Sequence, residues 1–200
     1  RKLIESDYQV RVSIIEFSQN ESPDFLSNLN LLPKEIFTRI NCVENLEILN
    51  DEIIIDAIFG YGLNRIISGE FASIIDRINQ SKSKVISIDM PSGLFSEDNR
   101  GNNGSIICAH TTYTFQCMKL SLLIESYHKY CGDVKVIDIG LDRNFLKTIP
   151  INKSLLSSKN LPLVNNRNKF SHKGNFGHAV LIGGNNNMKG AIILSARSAL

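Results

Sequence analysis

The chain lacks the features by which proteins bind nucleic acids or anionic membranes. Tryptophan is absent and aromatic residues make up only 8% of the 200 residues, so a surface on which bases stack is not expected. The 22 Lys and Arg residues are balanced by 20 Asp and Glu residues. A net charge of +2, without a basic cluster, gives no electrostatic basis for either kind of partner.

Cysteine motifs that bind metals or carry out redox chemistry are also absent. No pair among Cys42, Cys108, Cys117 and Cys131 has the Cys-x-x-Cys spacing. Cys108 and Cys117 lie in apolar sequence and are expected to be small buried side chains. Free thiols are typical of the reducing cytoplasm, and no apolar run is long enough to span a bilayer. The sequence therefore predicts a cytoplasmic protein.

Two common nucleotide-binding motifs are missing, but a pair of similar strand ends is present. The chain has neither the G-x-G-x-x-G fingerprint of dehydrogenases nor a G-x-x-x-x-G-K-[ST] P-loop. Instead, the apolar run Ile53–Ile55 ends in Asp56, and the run Val85–Ile88 ends in Asp89. Continuous β-branched runs are typical of strands buried on both faces of a parallel sheet.

An apolar stripe at helical spacing over residues 70–80 lies between these two runs. Strand, helix and strand together predict a right-handed βαβ unit with parallel strands. Ligands of open α/β sheets bind outside the carboxyl ends of the strands. Asp56 and Asp89 are therefore expected at one edge of one sheet, in a site rather than in a core.

A turn of small residues follows each aspartate. Gly60-Tyr61-Gly62 can let backbone amides approach a phosphate closely, or it can be a plain turn. Pro91-Ser92-Gly93 places a hydroxyl after Asp89, and with Asp56 and nearby carbonyls it would form an oxygen cluster suited to a hard cation. An aspartate that caps a turn and an ordinary serine turn stay open as alternatives.

The remaining sequence predicts a first domain, a linker and the start of a second domain. Further strands are predicted at 8–16, 111–116 and 133–139, and short helices at 32–40 and 141–145. Residues 149–168 are rich in Ser, Lys and Asn, and indicate a linker between a domain at 1–148 and a new unit at 169–200. There, a strand at 178–182, a glycine loop and a helix from Ala191 form an arrangement that suits an anion.

The motifs, taken in order, resemble those of the NAD(P)H-hydrate epimerase family. The matching stretches are IDAIFGYGL at 55–63, SIDMPSGL at 87–94, TYTF at 112–115 with Lys119 after it, and VIDIGL at 136–141. The second unit resembles the start of an ADP- or ATP-dependent NAD(P)H-hydrate dehydratase, through 171–177, 182–184 and 188–191. The implied fold is α/β: a three-layer α/β/α, Rossmann-like, mostly parallel sheet, followed by the truncated start of a ribokinase-like α/β domain.

The resemblance implies a role in repairing hydrated NADH and NADPH, which carry water at C6 of the nicotinamide ring as R and S epimers. The first domain would interconvert the epimers, with Asp89 as the catalytic acid/base if burial brings its pKa toward working pH. In a longer parent protein, the second domain would dehydrate the S form with ADP or ATP. The implied substrate contacts are Gly60, Tyr61, Gly62, Leu63, Asn64, Arg65, Ile66, Asp89 and, in the second unit, Ala191.

The resemblance also implies a potassium ion bound by Asp56 and Ser92, and it makes Lys119 a further candidate site residue. A loop that supplies another potassium ligand in the family would precede residue 1. We therefore expect the chain to be the middle portion of a longer protein and to be inactive on its own. The oligomeric state stays open, with a homo-oligomer among the options.

Two alternative functions remain. The first is a non-catalytic Rossmann-like module that uses the same site only to hold a nucleotide or an ADP-ribosyl group, because fold similarity does not prove chemistry. The second is a protein in which only the dehydratase half is active. An intact Asp89 beside an intact Ser92 favours the epimerase.

Overall fold

The computed structural model describes residues 1–16, 21–156 and 168–199. The chain divides into two compact units, Arg1–Ile149 and Pro150–Leu200. The predicted linker at 149–168 begins at the division between the units, and most of it, residues 157–167, lies outside the described residues.

The first unit alternates strands and helices. Its strands are β1 (Val12–Ile15), β2 (Phe37–Ile40), β3 (Ile53–Asp56), β4 (Lys84–Ile88), β5 (Thr111–Phe115) and β6 (Asp133–Ile137). Its α-helices are α1 (Lys2–Glu5), α2 (Pro23–Leu29), α3 (Gly69–Gln80), α4 (His128–Cys131) and α5 (Arg143–Thr148). Short 3-10 turns occur at Lys34–Ile36, Val43–Asn45, Leu120–Leu123 and Glu125–Tyr127.

Parallel sheets form the framework of this unit. Four strands pair in the order β3-β4-β5-β6, and β1 pairs with β2 in a separate two-stranded sheet. Each of these pairs is parallel, and the register sets Asp56 opposite Ser87. The carboxyl ends of β3, β4 and β5 therefore face the same edge, and the fold is of the predicted α/β class.

Helix α3 covers the sheet with its apolar stripe, as predicted. Ile74, Ile75 and Ile78 are buried and belong to one core cluster with Val85 of β4 and Ile107. Each such side chain contributes about 1.5–3 kcal/mol to stability when it is fully buried. The helix thus fixes the position of the two strands whose ends carry the aspartates.

Three local predictions in this unit are wrong. The helix predicted at 32–40 is a 3-10 turn followed by β2, because pairing with β1 holds Phe37–Ile40 extended. Strand β3 is not buried on both faces: it ends the four-strand order, and its Ile53 and Ile55 side chains are exposed. Cys108 and Cys117 are exposed rather than buried.

The second unit contains less regular structure than the sequence predicts. Its helix α6 (Gly190–Ala199) agrees with the predicted helix, but no strand forms at 178–182. Val180 and Ile182 are 84% and 92% exposed, so this segment has neither a neighbouring strand nor a core to order it within the described residues. Across the described part of the chain, no helix is both long and apolar enough to cross a bilayer.

Candidate active site

Asp56 is the buried centre of the site. It ends β3 with only 1% of its surface exposed. One carboxylate oxygen accepts hydrogen bonds from the Ser87 hydroxyl at 2.7 Å and the Ser92 N–H at 2.9 Å. The other accepts from the Ser92 hydroxyl at 2.5 Å and the Ile58 N–H at 3.4 Å. Asp56 is therefore not a surface cap, because its partners come from β4 and from the turn after β4 as well as from its own loop.

Ser92 joins the two turns that were predicted from the sequence. Its hydroxyl oxygen accepts a hydrogen bond from the Phe59 N–H at 2.9 Å and lies 3.2 Å from the Phe59 carbonyl oxygen. The Phe59 ring packs against Phe71 of α3, with ring centroids 5.1 Å apart. The glycine turn after β3 is thereby fixed both to the helix and to the turn after β4.

Asp89 follows β4 in a left-handed conformation with φ of 67°. Its Oδ1 accepts from the Lys119 ammonium at 2.7 Å and from the Phe115 N–H at 3.3 Å. Its Oδ2 accepts from the Tyr61 N–H at 2.9 Å. A side chain at Gly60 would place its Cβ 3.2 Å from this Oδ2. Glycine at position 60 thus permits close contact between the turn and the carboxylate.

The environment drives the pKa values of the two aspartates in opposite directions. Burial raises the pKa of Asp56, and its hydrogen bonds from Ser92, Ser87 and Ile58 oppose this rise without cancelling it. Burial also acts to raise the pKa of Asp89, but the bonds from Lys119, Tyr61 and Phe115 outweigh it and hold that pKa below its ordinary value. Asp89 is therefore a carboxylate at neutral pH. The catalytic role implied by the sequence was conditional on burial bringing this pKa toward working pH, and the structure does not meet that condition.

An open cavity of about 350 Å³ lies along the glycine turn. Five of the predicted substrate contacts line it: Gly60, Gly62, Leu63, Asn64 and Arg65. Tyr61 instead contacts Asp89 through its N–H, and the exposed Ile66 is not part of the lining. Ala191 lies in the second unit, at the start of α6.

The oxygens around Asp56 are donors of the kind that a hard cation prefers. A carboxylate, the Ser92 hydroxyl and the Phe59 carbonyl converge, and Ser92 Oγ lies within 3.2 Å of both other groups. The set contains oxygen donors and one negative charge, without sulfur or imidazole. The residues predicted to hold potassium therefore fit such an ion.

Two side chains of this network were not predicted as contacts from the sequence. Ser87 lies on β4 directly opposite Asp56, so the parallel register is the signal that would have identified it. Thr114, on β5, accepts a hydrogen bond from Lys119 at 2.8 Å. No local pattern indicates that contact, because it depends on how the chain turns after β5.

Comparison with known proteins identifies the family to which this chain belongs. A sequence model of the family described as "YjeF-related protein N-terminus" matches residues 1–121. The chain belongs to this family. The match contains both aspartates, both turns and Lys119, so the whole network described above lies within the YjeF-related domain.

Individual relatives carry more specific names. A Coxiella burnetii protein named bifunctional NAD(P)H-hydrate repair enzyme Nnr is 34% identical over 149 residues, which are 74% of this chain and 30% of that protein. An Oenococcus oeni protein named NAD(P)H-hydrate epimerase is 34% identical over 141 residues, which are 70% of this chain and 58% of that protein. The YjeF-related chain thus spans less than two thirds of either relative.

Proposed function

We propose that this protein interconverts the R and S epimers of NADH and NADPH hydrates, as an isomerase that repairs damaged cofactors. The observation that carries the proposal is the position of Asp89, an ionised carboxylate held against the glycine turn whose residues line the cavity. The Oenococcus oeni relative is named for this activity.

The residues suggest a division of roles within the reaction. The cavity, whose lining ends at Arg65, would receive the phosphates of the substrate, with the Arg65 guanidinium as its cation. Asp89 would take the proton of the C6 hydroxyl while the C6–N1 bond breaks and its electron pair passes to N1, leaving a carbonyl at C6. Closing the ring on the opposite face reforms the C6–N1 bond and returns the proton to the oxygen, so that no atom is gained or lost.

Potassium is proposed as the ion held by Asp56, Ser92 and the Phe59 carbonyl. When bound, it would supply positive charge beside the glycine turn. The protein's own contribution is to fix that turn, since Ser92 contacts both Asp56 and Phe59.

A second activity is proposed for the longer protein in which such a domain would occur. The Coxiella burnetii relative is named as bifunctional, in keeping with a domain that dehydrates the S form with ADP or ATP, and Ala191 would lie near that substrate. We propose a cytoplasmic location, which accords with the free cysteines Cys42, Cys108, Cys117 and Cys131.

The test of the function is a rate measurement with the protein at its natural length. Purified R and S epimers of NADPH hydrate are incubated separately with and without protein in potassium buffer, and the epimers are resolved by chromatography. We expect interconversion well above the spontaneous rate. Binding of the hydrate with no acceleration would instead support the non-catalytic module.

The potassium site makes a prediction that does not depend on activity. The protein should unfold at a higher temperature in potassium chloride than in choline chloride at equal ionic strength, because an ion bound only to the folded state stabilises it. Ser92→Ala should abolish this difference. Ser121→Ala is the matched control, since Ser121 is also buried but its hydroxyl has no hydrogen-bond partner among the described residues. Potassium dependence that persists in Ser92→Ala would contradict the assignment.

Gly60 provides a test of the contact between turn and carboxylate. In Gly60→Ala, the new Cβ would lie 3.2 Å from Asp89 Oδ2, and that carboxylate is held by three other groups. A displacement of a few tenths of an ångström should lower kcat/KM about tenfold. Gly101→Ala, outside the site, adds a Cβ with nothing within 4 Å and should cost less. Equal losses in both variants would argue against a role for the contact.

A further inference from the structure

Lys119 makes a set of contacts that the proposed reaction does not yet use. Its side chain is 9% exposed. The ammonium lies 2.7 Å from Asp89 Oδ1, 2.8 Å from the Thr114 hydroxyl and 2.8 Å from the Phe115 carbonyl. An ammonium has three hydrogens to donate, and each finds one acceptor here. Lys119 therefore has no hydrogen left for a substrate, and its action must pass through a residue that it contacts.

The backbone around this contact is unusual on both sides. Asp89 and Gln116 have φ of 67° and 62°, a conformation that residues other than glycine seldom adopt. Both residues still hydrogen-bond to the neighbouring strand. The Asp89 N–H donates to the Tyr113 carbonyl and the Gln116 N–H donates to the Ile137 carbonyl, both at 2.7 Å. The chain thus turns sharply after β4 and after β5, and Lys119 connects the two turns.

The two carboxylate oxygens of Asp89 differ in their hydrogen-bond partners. Oδ1 receives the Lys119 ammonium and the Phe115 N–H, whereas Oδ2 receives only the Tyr61 N–H. Oδ2 is also the oxygen that approaches Gly60, a residue that lines the cavity. The contacts to Oδ1 fix the rotation of the carboxylate and leave Oδ2 with capacity to accept a further proton donor.

We propose that Lys119 is a positioning residue, which holds the Asp89 carboxylate through Oδ1 so that Oδ2 is presented to the substrate. The inference rests on the proposed epimerase function. Lys119 is the one charged side chain that acts on Asp89 within the described residues, and together with the Tyr61 and Phe115 amides it holds the pKa of Asp89 low against the effect of burial. Its removal should therefore both loosen the carboxylate and raise that pKa.

The test compares Lys119→Met with Lys135→Met. Lys135 forms a solvent-exposed pair with Asp133 at 3.4 Å, so it is a matched lysine outside the site. In Lys119→Met we expect kcat to fall about 10- to 100-fold while KM changes little, and the acid limb of kcat against pH to move to higher pH. Lys135→Met should resemble the parent. A parent-like kcat and pH profile in Lys119→Met would overturn the proposal.

A second readout needs no turnover. The carbon-13 signal of the Asp89 carboxyl group, assigned by its loss in Asp89→Asn, is titrated in the parent and in Lys119→Met without substrate. We expect a higher pKa in Lys119→Met, and an unchanged titration would overturn the proposal. The two proposals can fail separately. If Lys119→Met raises the pKa of Asp89 but the parent does not interconvert the epimers, the proposed function fails, whereas the effect of Lys119 on the Asp89 carboxylate is still demonstrated.

Variants of Thr114 provide a further test that still applies if Lys119→Met does not fold. Thr114→Val removes one acceptor of the ammonium at nearly constant volume, whereas Thr114→Ser keeps the hydroxyl. We expect the same changes as in Lys119→Met, but smaller, in Thr114→Val alone. Identical pH profiles for the two variants would contradict the inference.

Discussion

Asp89→Asn should lower kcat for epimerisation by about 10²–10⁴-fold, the range expected when a general base is lost. Asparagine tolerates the left-handed backbone at this position, so the turn should persist. The amide cannot act as a base, however. Its NH₂ group would also face a hydrogen-bond donor, either the Tyr61 N–H or the Lys119 ammonium, in place of the carboxylate oxygen that accepts from it now. The measurement is single-turnover conversion of S to R NADPH hydrate.

Asp138→Asn is the control for that variant. Asp138 also follows a strand of the sheet, but it is exposed and pairs with Arg143 at 3.5 Å on the surface. Its replacement should leave kcat within about twofold of the parent, as is usual for surface substitutions. If Asp89→Asn and Asp138→Asn have the same kcat, then Asp89 is not the base.

Gly93→Ala should lower the free energy of unfolding by about 3–5 kcal/mol, by a steric mechanism. Gly93 has φ of 100°, and a Cβ there would lie 2.3 Å from the Ser105 carbonyl oxygen and 2.9 Å from the Ile106 Cα. Both are backbone atoms, which cannot rotate away as a side chain can. For a unit of this size, such a loss corresponds to a fall in Tm of about 10 °C or more, measurable by circular dichroism.

Gly140→Ala separates the clash from the backbone strain. Gly140 also has a positive φ, 76°, but a Cβ there would have nothing within 4 Å. That variant should lose only the cost of a left-handed alanine, about 1 kcal/mol. Equal destabilisation by the two substitutions would show that the packing of Gly93 against 105–106 contributes nothing.

The parts of the fold that follow local patterns were predictable from the sequence. The runs that end in Asp56 and Asp89 form β3 and β4, and the stripe between them forms α3. Strand β2 was missed because its partner, β1, lies more than twenty residues earlier in the chain and no local alternation marks it. At 178–182 the opposite occurs. The local pattern predicts a strand, but none forms because the segment has no partner strand within the described residues.

The site was predictable in its location but not in its electrostatics. Strand ends and glycine turns locate Asp56, Asp89 and Ser92 at one edge, because parallel strands bring their carboxyl ends together. The pKa of Asp89 depends on Lys119, which is 30 residues away in sequence and reaches it only because of the left-handed turns after β4 and β5. No spacing rule contains that information.

The most direct test of the central claim is the ratio of epimers reached from both sides. Pure R and pure S NADPH hydrate are each incubated with a catalytic amount of the natural-length protein in potassium buffer, over a time in which spontaneous change is small. If Asp89 acts as the base of an epimerase, both reactions should converge on one R-to-S ratio with the parent and remain apart with Asp89→Asn. Two mixtures that stay apart with the parent protein would contradict the account.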